Sequence, residues 1–187
     1  LLMHTDPNDN EGPNLTATAE MLGIAEKVAF STARLDFSQI NTLHNMADVC
    51  VNMSYAEGFG LATLEAMQTG TPIIAVKTGG LTRQVVDHRD QTENGVALDV
   101  KVRSLVGSQA VPYIFEDYAD SADVAAAINK IFKLNDDEKE ALSQKVLDYV
   151  NSEFNYKNMI DEWDRTLNEM IDNWKSRYER VSLKEIK

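Results

Sequence analysis

The chain has 187 residues, 43% of them hydrophobic and 26% charged. These are the proportions of a globular chain that buries its core without disulfides or metal, and they exclude disorder, collagen-like repeats and a disulfide scaffold. Lys and Arg number 18 against 30 Asp and Glu, a net charge of -12, which excludes non-specific nucleic-acid binding, because that runs on cations neutralising phosphates.

The excess acid is spread along the chain, with 7 basic and 13 acidic residues in 1–115 and 11 and 17 in 116–187. It therefore reads as solubility and not as a tethered acidic arm. The length predicts one domain over 1–187. The chain opens on Leu1-Leu2-Met3, and we expect a fragment whose upstream part is missing. In order, Leu1–His4 reads as a strand, Pro13 as the first position of a helix carrying Leu15, Ala19 and Leu22 and stopped by Gly23, and Val28–Phe30 as a second strand. Asp36 or Ser38 can cap a helix with Ile40, Leu43 and Ala47 on one face. Val49–Met53 is a third strand and places the single cysteine, Cys50, in the core. A loop at Gly58–Gly60 leads into a helix over Leu61–Thr69, ended by Gly70. Ile73–Val76 is a fourth strand, Gly79-Gly80 a turn, Leu81–Asp87 a short helix and Val96–Leu98 a fifth strand.

Apolar strands alternating with helices predict an α/β fold, a Rossmann-like parallel sheet flanked by helices. Ligands of such sheets sit at the carboxyl ends of the strands, which points to the loops after Met3, Phe30, Met53 and Val76. Residues 99–119 break the rhythm and read as an irregular insertion. The C-terminal helices fill 120–187: Ser121–Phe132, Asp136–Tyr149 capped by Asn135, and a long last helix from Tyr156 to about Tyr178. Met159, Ile160, Trp163, Leu167, Met170, Ile171 and Trp174 give that helix a wide apolar face. Packing against the domain is the plainer expectation for it, and packing against something outside this chain the sharper one.

The chemistry concentrates in Glu57-Gly58-Phe59-Gly60-Leu61-Ala62-Thr63-Leu64-Glu65, which follows a strand and opens a helix. Two glycines let backbone come close to a ligand, and the helix N-terminus favours an anion such as phosphate. Carboxylates on either side are poor neighbours for phosphate but good acceptors for pairs of sugar hydroxyls. A phosphate flanked by two hydroxyl-bearing rings is a nucleotide sugar. A dinucleotide fingerprint fails here, because Thr63 stands where its third glycine belongs, and no P-loop is present.

Together with Gly70-Thr71-Pro72-Ile73-Ile74, Gly79-Gly80, Ala47-Asp48-Val49, Ser54 and Val28-Ala29-Phe30, this segment resembles the donor-binding, C-terminal half of GT-B glycosyltransferases. It is most similar to the large retaining family called family 4, or glycosyl transferases group 1. The resemblance covers residues 1–98 and, more loosely, the final helices. It implies that Glu57 binds hydroxyls of the transferred sugar at the catalytic centre and Glu65 the ribose diol. It implies further that amides around Gly58, Phe59, Gly60 and Leu61 hold the distal phosphate and sugar, and that the loop with Arg34 lies against the base. No metal and no cofactor beyond the donor nucleotide sugar is implied. The remaining partners would be a hydroxyl acceptor (glycan, lipid or protein) and the protein's own N-terminal domain, with no nucleic acid. Transfer would retain anomeric configuration.

The pattern also departs from the family. Its basic pair on the diphosphate lies in a strand–helix unit not found in this chain, and Thr82-Arg83-Gln84 stands where a Glu often follows the Gly-Gly turn. The fragment alone is therefore expected to be inactive. Two alternatives keep the fold: a non-catalytic nucleotide-sugar-binding module, and a sugar-nucleotide epimerase or phosphorylase. Lys77, at the end of a strand, is a candidate phosphate contact. His4, His44 and His88 show no ligand spacing, although His4 ends a strand on the ligand edge. The lone cysteine fits a cytoplasmic protein, peripheral at a membrane only through the missing domain.

Overall fold

The structure is a computed structural model and describes residues 1–10 and 12–177; Tyr178, to which the sequence extends the last helix, lies outside the described residues. The chain forms two compact units, Leu1–Thr42 and Leu43–Lys187, and the strands form separate ladders.

The first unit is a parallel strand–helix–strand. Strand β1 (Leu2–His4) pairs with β2 (Ala29–Ser31), Met3 standing opposite Phe30. Between them runs helix α1 (Leu15–Met21) and then one 3₁₀ turn, Ala25–Lys27. The helix starts two residues later than Pro13 would dictate, because the Asn14 side chain accepts the Ala17 N–H and so becomes the cap. His4, a minor site candidate by sequence, has its Nδ1 3.0 Å from Ser31 Oγ on the neighbouring strand. Helix α2 (Phe37–Met46) is capped by Asp36 and not by Ser38. The Asp36 carboxylate accepts the Gln39 N–H while Gln39 Oε1 accepts the Asp36 N–H, a reciprocal box.

In the second unit β3 (Cys50–Asn52), β4 (Ile73–Val76) and β5 (Gly95–Leu98) run parallel in that order. The crossovers are α3 (Leu61–Gln68) and α4 (Leu81–Val85). The central strand is apolar throughout because both of its faces are covered. Alternate side chains point to opposite faces. Ile73 and Ala75 join Met67, Leu81, Val85, Val146, Tyr149 and Val150 on one side, while Ile74 joins Leu98, Ala127 and Ile131 on the other. Helix α5 (Ser121–Phe132) supplies Ala127 and Ile131. Helix α6 (Asp136–Glu153) supplies Val146, Tyr149 and Val150; it opens on a capping box between Asn135 and Glu138 and runs past the expected end at Tyr149.

Two expectations change. Residues 99–119 are not irregular but carry an antiparallel hairpin, β6 (Val102–Val106) with β7 (Ile114–Tyr118). Its β-branched and aromatic runs, separated by Gly107 and Pro112, are hairpin chemistry. In α7 (Tyr156–Arg177) the apolar stripe is not buried against the domain, since Trp163 is 59% and Ile171 71% exposed. Among the described residues no helix is long and apolar enough to cross a membrane.

Met67 is fully buried at the centre of the first cluster. Met67→Ala should lower stability by about 2–5 kcal/mol, read as a drop in the urea midpoint with an unchanged slope.

Candidate functional site

Strand β3 delivers the chain to the loop that holds Glu57, and β4 delivers it to the turn Thr78-Gly79-Gly80 at the same edge of the sheet. The two loops lie backbone on backbone. A Cβ on Gly79, whose φ is +46°, would sit 1.8 Å from the Glu57 carbonyl oxygen, and one on Gly80 would sit 2.6 Å from Phe59 Cα. This close approach lets the Gly80 N–H donate to the Glu57 carbonyl at 3.1 Å. Gly60 takes the left-handed conformation, φ +91°, and turns the loop into α3, where no side chain caps the helix. Gly58 is different: a Cβ there would meet nothing within 4 Å. Among the described residues no hydrogen bond uses the N–H groups of Gly58, Phe59, Gly60 or Leu61. They sit with the positive end of α3, where an anion is favoured.

Carboxylates flank these donors as the spacing predicts. Glu57 is half-buried, its Oε2 3.4 Å from the Ser54 hydroxyl. Glu65, one turn into α3, is exposed. Its Oε2 lies 3.9 Å from His44 Nε2, a neighbour that sequence spacing could not reveal. Burial lowers the imidazole pKa against the opposing pull of Glu65, so the ring is neutral near pH 7. The sequence groups Glu57, Gly58, Phe59, Gly60, Leu61 and Glu65, and the structure keeps them together around one helix start. Phe59 is steadied from the far side by Phe154, edge-on at 6.1 Å between ring centroids.

Arg34 is an exposed residue of the β2–α2 loop, in the first unit. Lys77 is ion-paired with Asp99, so its charge is already engaged. Arg83, in the stretch that departs from the family pattern, donates from Nε to Glu153 at 2.8 Å, while the adjacent Gln84 turns inward.

The hairpin supplies residues that sequence reasoning missed. Asp117 is buried, and its Oδ2 accepts the Thr78 hydroxyl at 2.8 Å, while Arg103 Nε donates to Oδ1 at 2.6 Å. The Asp117 N–H donates to the Tyr55 carbonyl at 2.7 Å, and the Tyr55 and Tyr118 rings meet at 4.4 Å. Asp117 thus ties β7 to both loops of the site, to Thr78 through its carboxylate and to Tyr55 through its backbone N–H. Arg103 chiefly, with the Thr78 hydroxyl, holds its pKa below the usual aspartate range.

The model of the family described as glycosyl transferases group 1 matches residues 9–108. A D-inositol 3-phosphate glycosyltransferase of Catenulispora acidiphila is 39% identical over 82 residues, 44% of this chain and 19% of that relative. Sucrose-phosphate synthase from Thermosynechococcus elongatus superposes with a TM-score of 0.67 at 23% identity, covering 91% of this chain and 38% of that one. Anabaena HepE in complex with UDP-glucose gives 0.59 at 21% identity, over 83% and 36%. The chain thus spans a minor part of each of these proteins.

The two loop glycines should respond differently. Gly60→Ala meets both a positive φ and Leu81 Cδ2 at 2.6 Å and should cost about 1–3 kcal/mol; Gly58→Ala should leave the thermal midpoint unchanged. For Asp117 a depressed folded pKa means that its stabilisation is complete above the unfolded value of about 3.9. That stabilisation is lost as pH falls through the lower folded value. Asp117→Asn should flatten the acid limb of thermal stability, measured by melts from about pH 6 to about pH 2.

Proposed function

The chain belongs to the glycosyl transferases group 1 family, and on that premise we propose that it is the donor-binding half of a retaining glycosyltransferase. In this reading the full-length protein moves a sugar from a nucleoside diphosphate to a hydroxyl of a glycan, lipid or protein acceptor. One observation carries the reading: a helix start with free N–H groups, bracketed by two carboxylates. Free N–H groups match a diphosphate. The carboxylates match the hydroxyls on either side of it, Glu65 the ribose diol and Glu57 the transferred sugar.

Gly58 supports the same reading. Packing within the protein does not require a glycine there, so the missing side chain is explained by a ligand lying against the loop. As the bond to the leaving diphosphate lengthens, negative charge grows on its oxygens. Backbone N–H groups fixed in a folded loop stabilise that charge without reorganising. We expect the reaction to need no metal for this purpose. The acceptor hydroxyl then attacks from the face the diphosphate leaves and gives its proton to the departing diphosphate oxygen, while Glu57 holds the sugar in place. The acceptor site belongs to the N-terminal domain in this reading, and we place the protein in the cytoplasm.

A melting panel of UDP, ADP and GDP with the full-length protein tests the donor. A nucleotide at about 100 times its Kd adds about 2.7 kcal/mol, a rise of about 2–4 °C for each kcal/mol at this size. Glu65→Ala should abolish the rise for the preferred base. NMR of the first-formed product should show the donor's anomeric configuration. Turnover of donor with no acceptor present would instead mark an epimerase, and a folded protein that no nucleotide shifts would mark a non-catalytic module.

A further inference from the structure

Gln84 is wholly buried on α4, between the core residues Leu81 and Val85. Its Nε2 donates to two loop carbonyls, Phe59 at 2.6 Å and Gly60 at 3.1 Å. A side-chain amide has two N–H bonds on one nitrogen, and both are directed at the loop. The remaining oxygen, Oε1, is buried without a partner among the described residues. A methionine of similar length would fill this core position without stranding an oxygen. The amide is therefore explained by the two carbonyls it holds and not by packing.

Holding those carbonyls has a geometric consequence. The chain has no cis peptide bonds, and in a planar trans peptide the C=O and the following N–H point in opposite directions. Drawing the Phe59 and Gly60 carbonyls toward Gln84 turns the N–H groups of Gly60 and Leu61 away from it. Glycine permits many peptide orientations at position 60, so the loop backbone alone does not select this one. The Gly60 carbonyl is shared with the Thr63 hydroxyl at 2.8 Å and the Leu64 N–H at 3.1 Å. The Phe59 carbonyl has Gln84 alone among the described residues.

We propose that Gln84 is a positioning residue for the diphosphate: by holding the Phe59 and Gly60 carbonyls it aims the Gly60 and Leu61 N–H groups at the donor's phosphates. The inference rests on the reading of this loop as the donor site. It assigns a purpose to a residue in the stretch where the chain departs from its family's pattern. Gln84 touches no part of the donor and acts through backbone alone.

The test uses the full-length protein and its Gln84→Met and Gln84→Glu variants. Isothermal titration compares UDP, ADP and GDP with uridine, adenosine and guanosine. Met removes both donors, and Glu sets an acceptor against two carbonyls. Each variant should keep its nucleoside affinity and lose roughly tenfold or more of the diphosphate affinity, Glu the more. Equal loss for nucleoside and diphosphate, or no loss, in a variant with a native circular dichroism spectrum overturns the proposal. If neither variant folds, amide shifts of the native protein decide. Gly60 and Leu61 should move with the diphosphate and not with the nucleoside, and amides that respond to neither overturn it. A native protein that binds none of the three diphosphates removes the donor reading and this role together.

Discussion

The candidate site depends on two stretches of backbone packed directly against each other. The turn after β4 touches the loop after β3 with no side chain between them, because positions 79 and 80 are glycine. Any Cβ at Gly79 would overlap the Glu57 carbonyl. At that distance the Gly80 N–H, Gln84 and Asp117 all reach loop carbonyls. A loop whose carbonyls are drawn inward presents its N–H groups on the other side. The capacity to take an anion is thus a by-product of how the loop's acceptors are satisfied.

That arrangement needs a rigid floor, and β4 provides it. Four consecutive residues, Ile73 to Val76, are buried on both faces and hydrogen-bonded on both edges. Helix α6 closes one face, and its end reaches the site's rear through Tyr149, whose hydroxyl donates to the Arg83 carbonyl at 2.5 Å. Burial pushes that phenol up to about 12, so it remains a donor throughout the physiological range. The same helix end offers Glu153 to Arg83 and Phe154 to Phe59. Core packing and loop geometry are therefore coupled through few residues, and loosening α6 would be felt at the helix start of α3.

The hairpin changes how residues 99–119 are understood. An insertion expected to be irregular joins one site loop through the buried Asp117 carboxylate and the other through the Asp117 N–H. Its outer residues, among them Leu105 and Phe115, remain exposed, while its inner face is committed to Tyr55 and Thr78. The insertion is thus part of the scaffold that holds Glu57's loop in place.

Local features were legible in the sequence. Parallel strands followed from apolar runs alternating with helices. The helix start at Leu61 and its flanking carboxylates followed from spacing within nine residues, and caps such as Asn135 from single side chains reaching their own helix. Each of these is decided by neighbours along the chain. Gln84 holding Phe59, and Asp117 holding Thr78, join residues 25 and 39 positions apart, and His44 meets Glu65 across the space between two helices. Nothing in the identity of a lone Gln or Asp states which carbonyl or hydroxyl it will face. The exposed stripe of α7 has the same origin: periodicity marks a face as apolar, and only packing decides whether anything covers it. The amino-acid sequence therefore determined the alternating strands and helices, and it set two glycines and two carboxylates around one helix start. The tertiary structure decided which side chains orient that site, because hydrogen-bond partners distant in sequence are chosen by the fold.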